Sequence, residues 1–167
     1  GILLASGFNK YTAYFTHTDH APVQQIARST RTGAATTILS GLGIGFESTV
    51  WAILIIVIAI LASVLIFAGS GVSYVLYSVA LCGIGMLSHT GNNVSMDAFG
   101  PIADNANGIG EMSGMEAEAR SVMATLDAVG NTTKAITKGI AIASAVIASV
   151  SLFGSFITNI NDARSEL

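Results

Sequence analysis

A chain of 167 residues with 51% hydrophobic and only 10% charged residues is ill suited to water, since soluble domains are roughly a quarter charged. Lipid is the expected solvent, and the mean hydropathy of +0.66 agrees. A net charge of -3 gives no argument for nucleic acid, and the single cysteine, Cys82, has no partner for an internal disulfide.

The chain opens GILLASGFNKYTAYF, with no initiator Met and no basic segment ahead of the apolar stretch, so no cleavable signal peptide is visible. It ends NINDARSEL, just after another apolar run. Both ends read as cuts through a longer protein, and residues 2–16 as the tail of a helix. An amphipathic segment follows near 22–31. Between Glu47 and Asp97 no residue carries a formal charge. Val50 to Ala68 alone is apolar enough to cross a bilayer core, which takes about 20 helical residues. The uncharged TTILSGLGIG upstream extends that helix back, predicting 34–68. Gly69, Ser70 and Gly71 break it. A second long helix is expected over 72–104, a cytoplasmic loop over 105–126, and a third long helix over 127–158. Three such runs in one short chain argue against buried helices of a soluble protein. The fold class predicted is all-α, a polytopic transmembrane helix bundle, with 1–167 forming part of one larger domain.

Small residues run along the spans: Gly41, Gly43 and Gly45, then Gly83 and Gly85, then Ala141, Ser144, Ala145 and Ala148. They allow close helix approach, which suits a many-helix bundle better than a single anchor. Lys10, Arg28 and Arg31 precede the first full span, and Arg120, Lys134 and Lys138 lie between the second and third. Six of the seven basic residues therefore fall on one side, expected to be the cytoplasm.

Charge concentrates between Asp97 and Lys138. MEAEAR, at 115–120, reads as an ordinary solvated helical turn. DAFGPIADNA differs. Asp97 and Asp104 are seven apart and share a helix face, with Pro101 between them able to kink it. Carboxylates at the mouth of a transmembrane bundle are costly unless paired or bound to a cation. With no Cys or His cluster beside them, oxygen ligands point to a hard cation such as Mg²⁺. In GNTTKAITKG, Asn131 and Lys138 are again seven apart and bracket Lys134. A helix start there would favour an anion, with lysine as the compact phosphate-binding charge. A helix cap followed by snorkelling lysines accounts for the same residues.

DAFGPIADNANGIGEM and LDAVGNTTKAITKGIAIAS closely resemble the membrane-bound, proton-pumping inorganic pyrophosphatase family. PVQQIARSTRTGAAT and GLGIGFEST resemble the segment that family carries upstream, so the likeness runs through nearly the whole chain. The resemblance implies a fragment of a bundle of about sixteen transmembrane helices, working as a homodimer in a prokaryotic inner membrane or an acidic-organelle (vacuolar) membrane. Its implied activity is hydrolysis of pyrophosphate, as a magnesium complex, on the cytoplasmic side, coupled to proton translocation. Carried over, Asp104 is a magnesium ligand, Asn131 a magnesium or substrate contact, and Lys138 the holder of a phosphate oxygen. Asp104 and Lys138 are thus the catalytic candidates, with Asp97 a further metal ligand. In that family the residue after GNTT is lysine in potassium-independent members and alanine in potassium-dependent ones. Lys134 therefore implies the potassium-independent, proton-moving subtype. The family's remaining acidic motifs and its ion gate match nothing here, so the fragment alone is not expected to be active.

A secondary transporter or channel is the competing reading, with Asp97, Asp104, Lys134 and Lys138 binding a transported ion without hydrolysis. A phosphate-binding lysine pair beside a carboxylate pair favours the pyrophosphatase. Glu47, an intramembrane carboxylate and so a candidate for a proton path, is read in preference as paired or lumen-exposed, and His17, His20 and His89 have no ligand spacing. Trp51, Tyr74 and Tyr77 fit interfacial belts.

Overall fold

The computed structural model describes residues 1–165. Its elements are α1 (Ile2–Thr16), α2 (Ala21–Ser29), a 3₁₀ turn at Thr30–Thr32, α3 (Ala34–Phe67), α4 (Val72–Met86), a second 3₁₀ turn at Leu87–His89, α5 (Thr90–Met112) and α6 (Ala117–Ser165). No strand occurs among the described residues. The chain is all-α.

Two expectations are corrected. The loop placed at 105–126 is almost entirely helix, because α5 runs on to Met112 and α6 begins at Ala117. The charges of Glu111, Glu118 and Arg120 demand water, and a helix that leaves the bilayer supplies it without unwinding. The break comes at Gly114, whose φ of +69° few side chains tolerate. The helix expected as one piece over 72–104 is also divided. At Leu87 the backbone N–H is shared among the carbonyls of Gly83, Ile84 and Gly85, tightening α4 into the 3₁₀ turn. Gly83 and Gly85 are weak helix formers, which lowers the cost of that change. Pro101 lies inside α5, which continues through it.

Among the described residues, three helical stretches are long and apolar enough to cross a membrane: Ala34–Phe67, Val72–Met112 and Ala117–Ser165. The 49 residues of α6 extend about 74 Å at 1.5 Å per residue. That is more than twice the ~30 Å hydrocarbon core, so much of α6 must lie outside lipid. Its sequence is free of charge from 139 to 161, which suits the spanning part.

By internal packing the chain divides into two compact units. One comprises residues 1–8, 50–88 and 140 onward. In it α4 packs on α6 through small residues: a Cβ on Gly83 would lie 3.7 Å from Ile147 Cγ2, and Gly154 abuts the Leu76 side chain. Ser151 Oγ donates to the Leu76 carbonyl at 3.3 Å. Met86, Val79, Ile140 and Ile147 form its core.

The other unit comprises residues 9–49 and 89–139. Here the single hydroxyl hydrogen of Thr132 on α6 is shared between the Thr16 carbonyl on α1, 3.4 Å away, and the Ala128 carbonyl of its own helix, 3.1 Å away. Tyr11 donates its hydroxyl to the Ser48 carbonyl, tying α1 to α3. Gly139 faces Thr12, whose Oγ1 would lie 3.0 Å from an added Cβ. All the candidate site residues belong to this unit.

Candidate functional site

The site is built on the hairpin of α5 and α6. Helix α5 stops in a Schellman motif: Met115 N–H reaches the Gly110 carbonyl at 3.1 Å, and Gly114 N–H reaches that of Glu111 at 3.3 Å. The Met115 side chain folds onto Gly110, within 3.5 Å of where a Cβ would stand. The turn sends α6 back antiparallel, and the register follows from the contacts. Glu111 meets Arg120 at 3.6 Å, Asn107 meets Asp127, and Gly100 meets Gly130 and Lys134.

Glycine makes the crossing close. A Cβ on Gly130 would lie 3.1 Å from Gly100 Cα, and one on Gly100 would lie 3.0 Å from the Gly130 carbonyl oxygen. The space above Gly100 is taken by the lysine stem, for that same Cβ would lie 2.7 Å from Lys134 Cε. Lys134 is thereby half-buried, with its stem fixed against α5.

On α6, positions 127, 131, 134 and 138 are spaced four, three and four apart and form one face, carrying Asp127, Asn131, Lys134 and Lys138. On α5, positions 97, 100, 104 and 107 do the same with Asp97, Gly100, Asp104 and Asn107. Asp97, Asp104 and Lys138 are exposed. Neither they nor Lys134 enter an ion pair among the described residues. No hydrogen bond joins Asp104 or Lys138 to Asn131. Lys138 lies two turns from Asn131 along α6, about 10 Å by helical rise. The candidates form a strip along two facing helices, with positive charge on α6 and carboxylates on α5.

Asn131 is held by a residue the sequence reading did not single out. Its Nδ2 donates to Asp127 Oδ1 at 2.9 Å, and Asn107 Nδ2 donates to Asp127 Oδ2 at 3.1 Å. The i, i+4 spacing of Asp127 and Asn131 is legible in LDAVGN. Asn107 enters only through the antiparallel register.

An ionised carboxylate can only accept, so both amides must present their NH₂ groups to it. The carbonyl Oδ1 of Asn131 is left facing away, and the buried Oδ1 of Asn107 has no partner. Carboxylate and amide oxygens, without sulfur or imidazole, suit a hard divalent cation. Among the described residues no three His, Cys, Asp or Glu side chains gather closely enough to hold one. The hairpin offers a partial set of oxygen donors.

The remaining residues of interest stand apart. His17 Nδ1 lies 3.6 Å from Asp19 and its ring 5.6 Å from that of His20. Glu47, Trp51, Tyr74 and Tyr77 are exposed on their helices.

Residues 1–167 match the family described as Inorganic H+ pyrophosphatase. The K(+)-insensitive pyrophosphate-energized proton pump of Chloroflexus aurantiacus is 56% identical, over 100% of this chain and 22% of that protein. The protein of the same name from Streptomyces avermitilis is 47% identical, over 100% of this chain and 21% of its own. A Clostridium tetani protein named as a candidate K(+)-stimulated pyrophosphate-energized sodium pump is 46% identical, over 93% of this chain and 23% of its own. The chain spans about a fifth of the length of these relatives.

Proposed function

This chain belongs to the inorganic H+ pyrophosphatase family, a family of multi-helix membrane proteins, and from that premise we propose that the protein it forms part of hydrolyses pyrophosphate and uses the free energy to move protons. The observation that carries this reading is the α5–α6 crossing. It lays a helix bearing Asn131, Lys134 and Lys138 against one bearing Asp97 and Asp104, with Lys134 wedged on Gly100. Pyrophosphate is strongly anionic, and its hydrolysis depends on positioning and charge stabilisation more than on covalent chemistry.

In this reading Lys138 holds a phosphate oxygen. Asp104, Asn131 Oδ1 and Asp97 take part in holding Mg²⁺, which when bound neutralises the substrate and polarises its phosphorus–oxygen bonds. The remaining ligands and the base for the attacking water come from segments beyond this one. The strip lies on the cytoplasmic side, where six of the seven basic residues concentrate, and the working unit is a homodimer.

Lys134 acts as a built-in cation. Its ammonium sits on a stem that Gly100 confines, where a diffusible potassium ion would otherwise neutralise substrate charge. Lysine at this position supports potassium independence and protons as the transported ion.

The intact protein, reconstituted in vesicles, tests both statements. Pyrophosphate with magnesium should release phosphate and acidify one side, at full rate without potassium. Lys134→Ala should lower the rate and make it respond to added potassium. No phosphate release would end the pyrophosphatase reading in favour of an ion transporter. Potassium activation of the unmutated protein would overturn the subtype.

A further inference from the structure

We propose that Asp127 is a positioning residue for the cation-binding strip, fixing the orientation of the Asn131 amide, and this rests on the functional reading above. Asp127 is half-buried on α6, one turn from Asn131, and touches neither Asp104 nor Lys138 through any hydrogen bond or ion pair. Its two oxygens are both used: Oδ1 accepts from Asn131 at 2.9 Å and Oδ2 from Asn107 at 3.1 Å. The bonds are charge-assisted, so they hold more firmly than neutral ones.

An asparagine amide can turn over by 180° at little cost, presenting either NH₂ or oxygen to a ligand. Only one orientation binds a cation. Because the Asp127 carboxylate has no hydrogen to donate, turning the Asn131 amide over would set oxygen against oxygen. Asp127 thus locks the oxygen outward before any ligand arrives. It does the same to Asn107 across the hairpin, which explains why that buried Oδ1 is left without a partner. One carboxylate orients an amide on each helix, but only Asn131 is exposed, so its carbonyl alone joins the oxygen donors of the strip while that of Asn107 stays buried. Outer partners of this kind typically change metal affinity or activity by about 10- to 100-fold when removed.

The test uses the full-length enzyme with Asp127→Ala, the near-isosteric Asp127→Asn, Asn131→Ala and the Asp127→Asn/Asn131→Ala pair. Two readouts are taken: the magnesium concentration for half-maximal hydrolysis, and the thermal stabilisation given by magnesium with non-hydrolysable imidodiphosphate. An asparagine at 127 keeps the volume but carries an NH₂, so it cannot accept from both amides. Both Asp127 variants should need about 10- to 100-fold more magnesium and lose most of the ligand-induced stabilisation. The pair should add little to Asn131→Ala, because Asp127 acts through Asn131. If Asn131→Ala shifts the magnesium requirement and neither Asp127 variant does, the positioning role is overturned while the site stands. If the Asp127 variants lower only the ligand-free melting temperature, Asp127 is a packing clamp and the proposal fails. If Asn131→Ala leaves magnesium dependence untouched, the site reading itself falls, and this inference with it.

Discussion

The two compact units use the same device to different ends. Among the described residues, 1–8, 50–88 and 140–165 carry charge only at Asp162 and Arg164, and every other charged residue lies in 9–49 and 89–139. Both bring helices close through glycine. In the apolar unit, Gly83 and Gly154 admit Ile147 and Leu76, and the gain is dispersion between tightly fitted apolar groups. In the charged unit, Gly100 and Gly130 admit each other's backbone, Gly100 also admits the stem of Lys134, and the gain is a placed ammonium. Close packing serves cohesion in the first and electrostatics in the second.

The largest expected effect lies in the charged unit. Asp104→Ala or Lys138→Ala in the intact enzyme should cut pyrophosphate hydrolysis by about 10²- to 10³-fold, as loss of a charge-stabilising group does elsewhere. Both residues are exposed and unpaired among the described residues, so melting in detergent should barely change. Loss of folding together with activity would show that they hold the hairpin instead.

The apolar unit should respond the opposite way. Ile147 is fully buried against Gly83, and Ile147→Ala leaves a cavity. In a soluble core such a truncation costs about 2–5 kcal/mol, part of it lost transfer from water. In lipid that part is largely absent, so about 1–3 kcal/mol of packing loss remains. Thermal unfolding of the full-length protein should register this, with the KM for magnesium pyrophosphate unchanged. A changed KM would mean the two units are not separable in this way.

Much of this division is legible in the sequence, because it rests on composition. Absence of charge over twenty or more residues marks a span whatever its neighbours do, and the places of the second half of α3 and the charge-free middle of α6 follow from that. The ends of α5 and α6 do not, because charge density says only that a segment meets water. A solvated helix and a solvated loop look alike until Gly114 is seen to adopt positive φ. In the site, the sevenfold spacings place Asn131 and Lys138 on one face. The partnership of Asp127 with Asn107 depends on the antiparallel register, which the Schellman turn at 113–116 sets. Resemblance supplied roles for the motif residues and none for the carboxylate between them.

Gly100→Ala sharpens the comparison at the point where packing and charge meet. The new Cβ would meet Lys134 Cε at 2.7 Å and the Gly130 carbonyl at 3.0 Å. The lysine end can swing aside, but the backbone can only give by a few tenths of an ångström. A stability loss of about 1–2 kcal/mol is expected. Displacing the ammonium should also make hydrolysis respond to potassium, as Lys134→Ala does in the subtype test. A stability loss with no potassium response would show that the position of the Lys134 charge is immaterial.

The smallest effect is expected at the far end of the hairpin. Arg120 Nη2 and Glu111 Oε1 are 3.6 Å apart, with the arginine about one-third and the glutamate about two-thirds exposed. Water screens such a pair, and holding two long side chains together costs conformational entropy, so it should contribute only about 0.2–1 kcal/mol. The Schellman turn, closed by backbone hydrogen bonds and Met115, already fixes the reversal without it. Arg120→Ala and Glu111→Ala, measured singly and together, should therefore lower the melting temperature slightly, with a small coupling that vanishes at high salt. Magnesium dependence should not move, because the pair lies on the turn side of Asn107 and Asp127. A coupling above about 2 kcal/mol, or a shifted magnesium requirement, would mean that the ion pair helps set the register on which the Asp127 contacts depend.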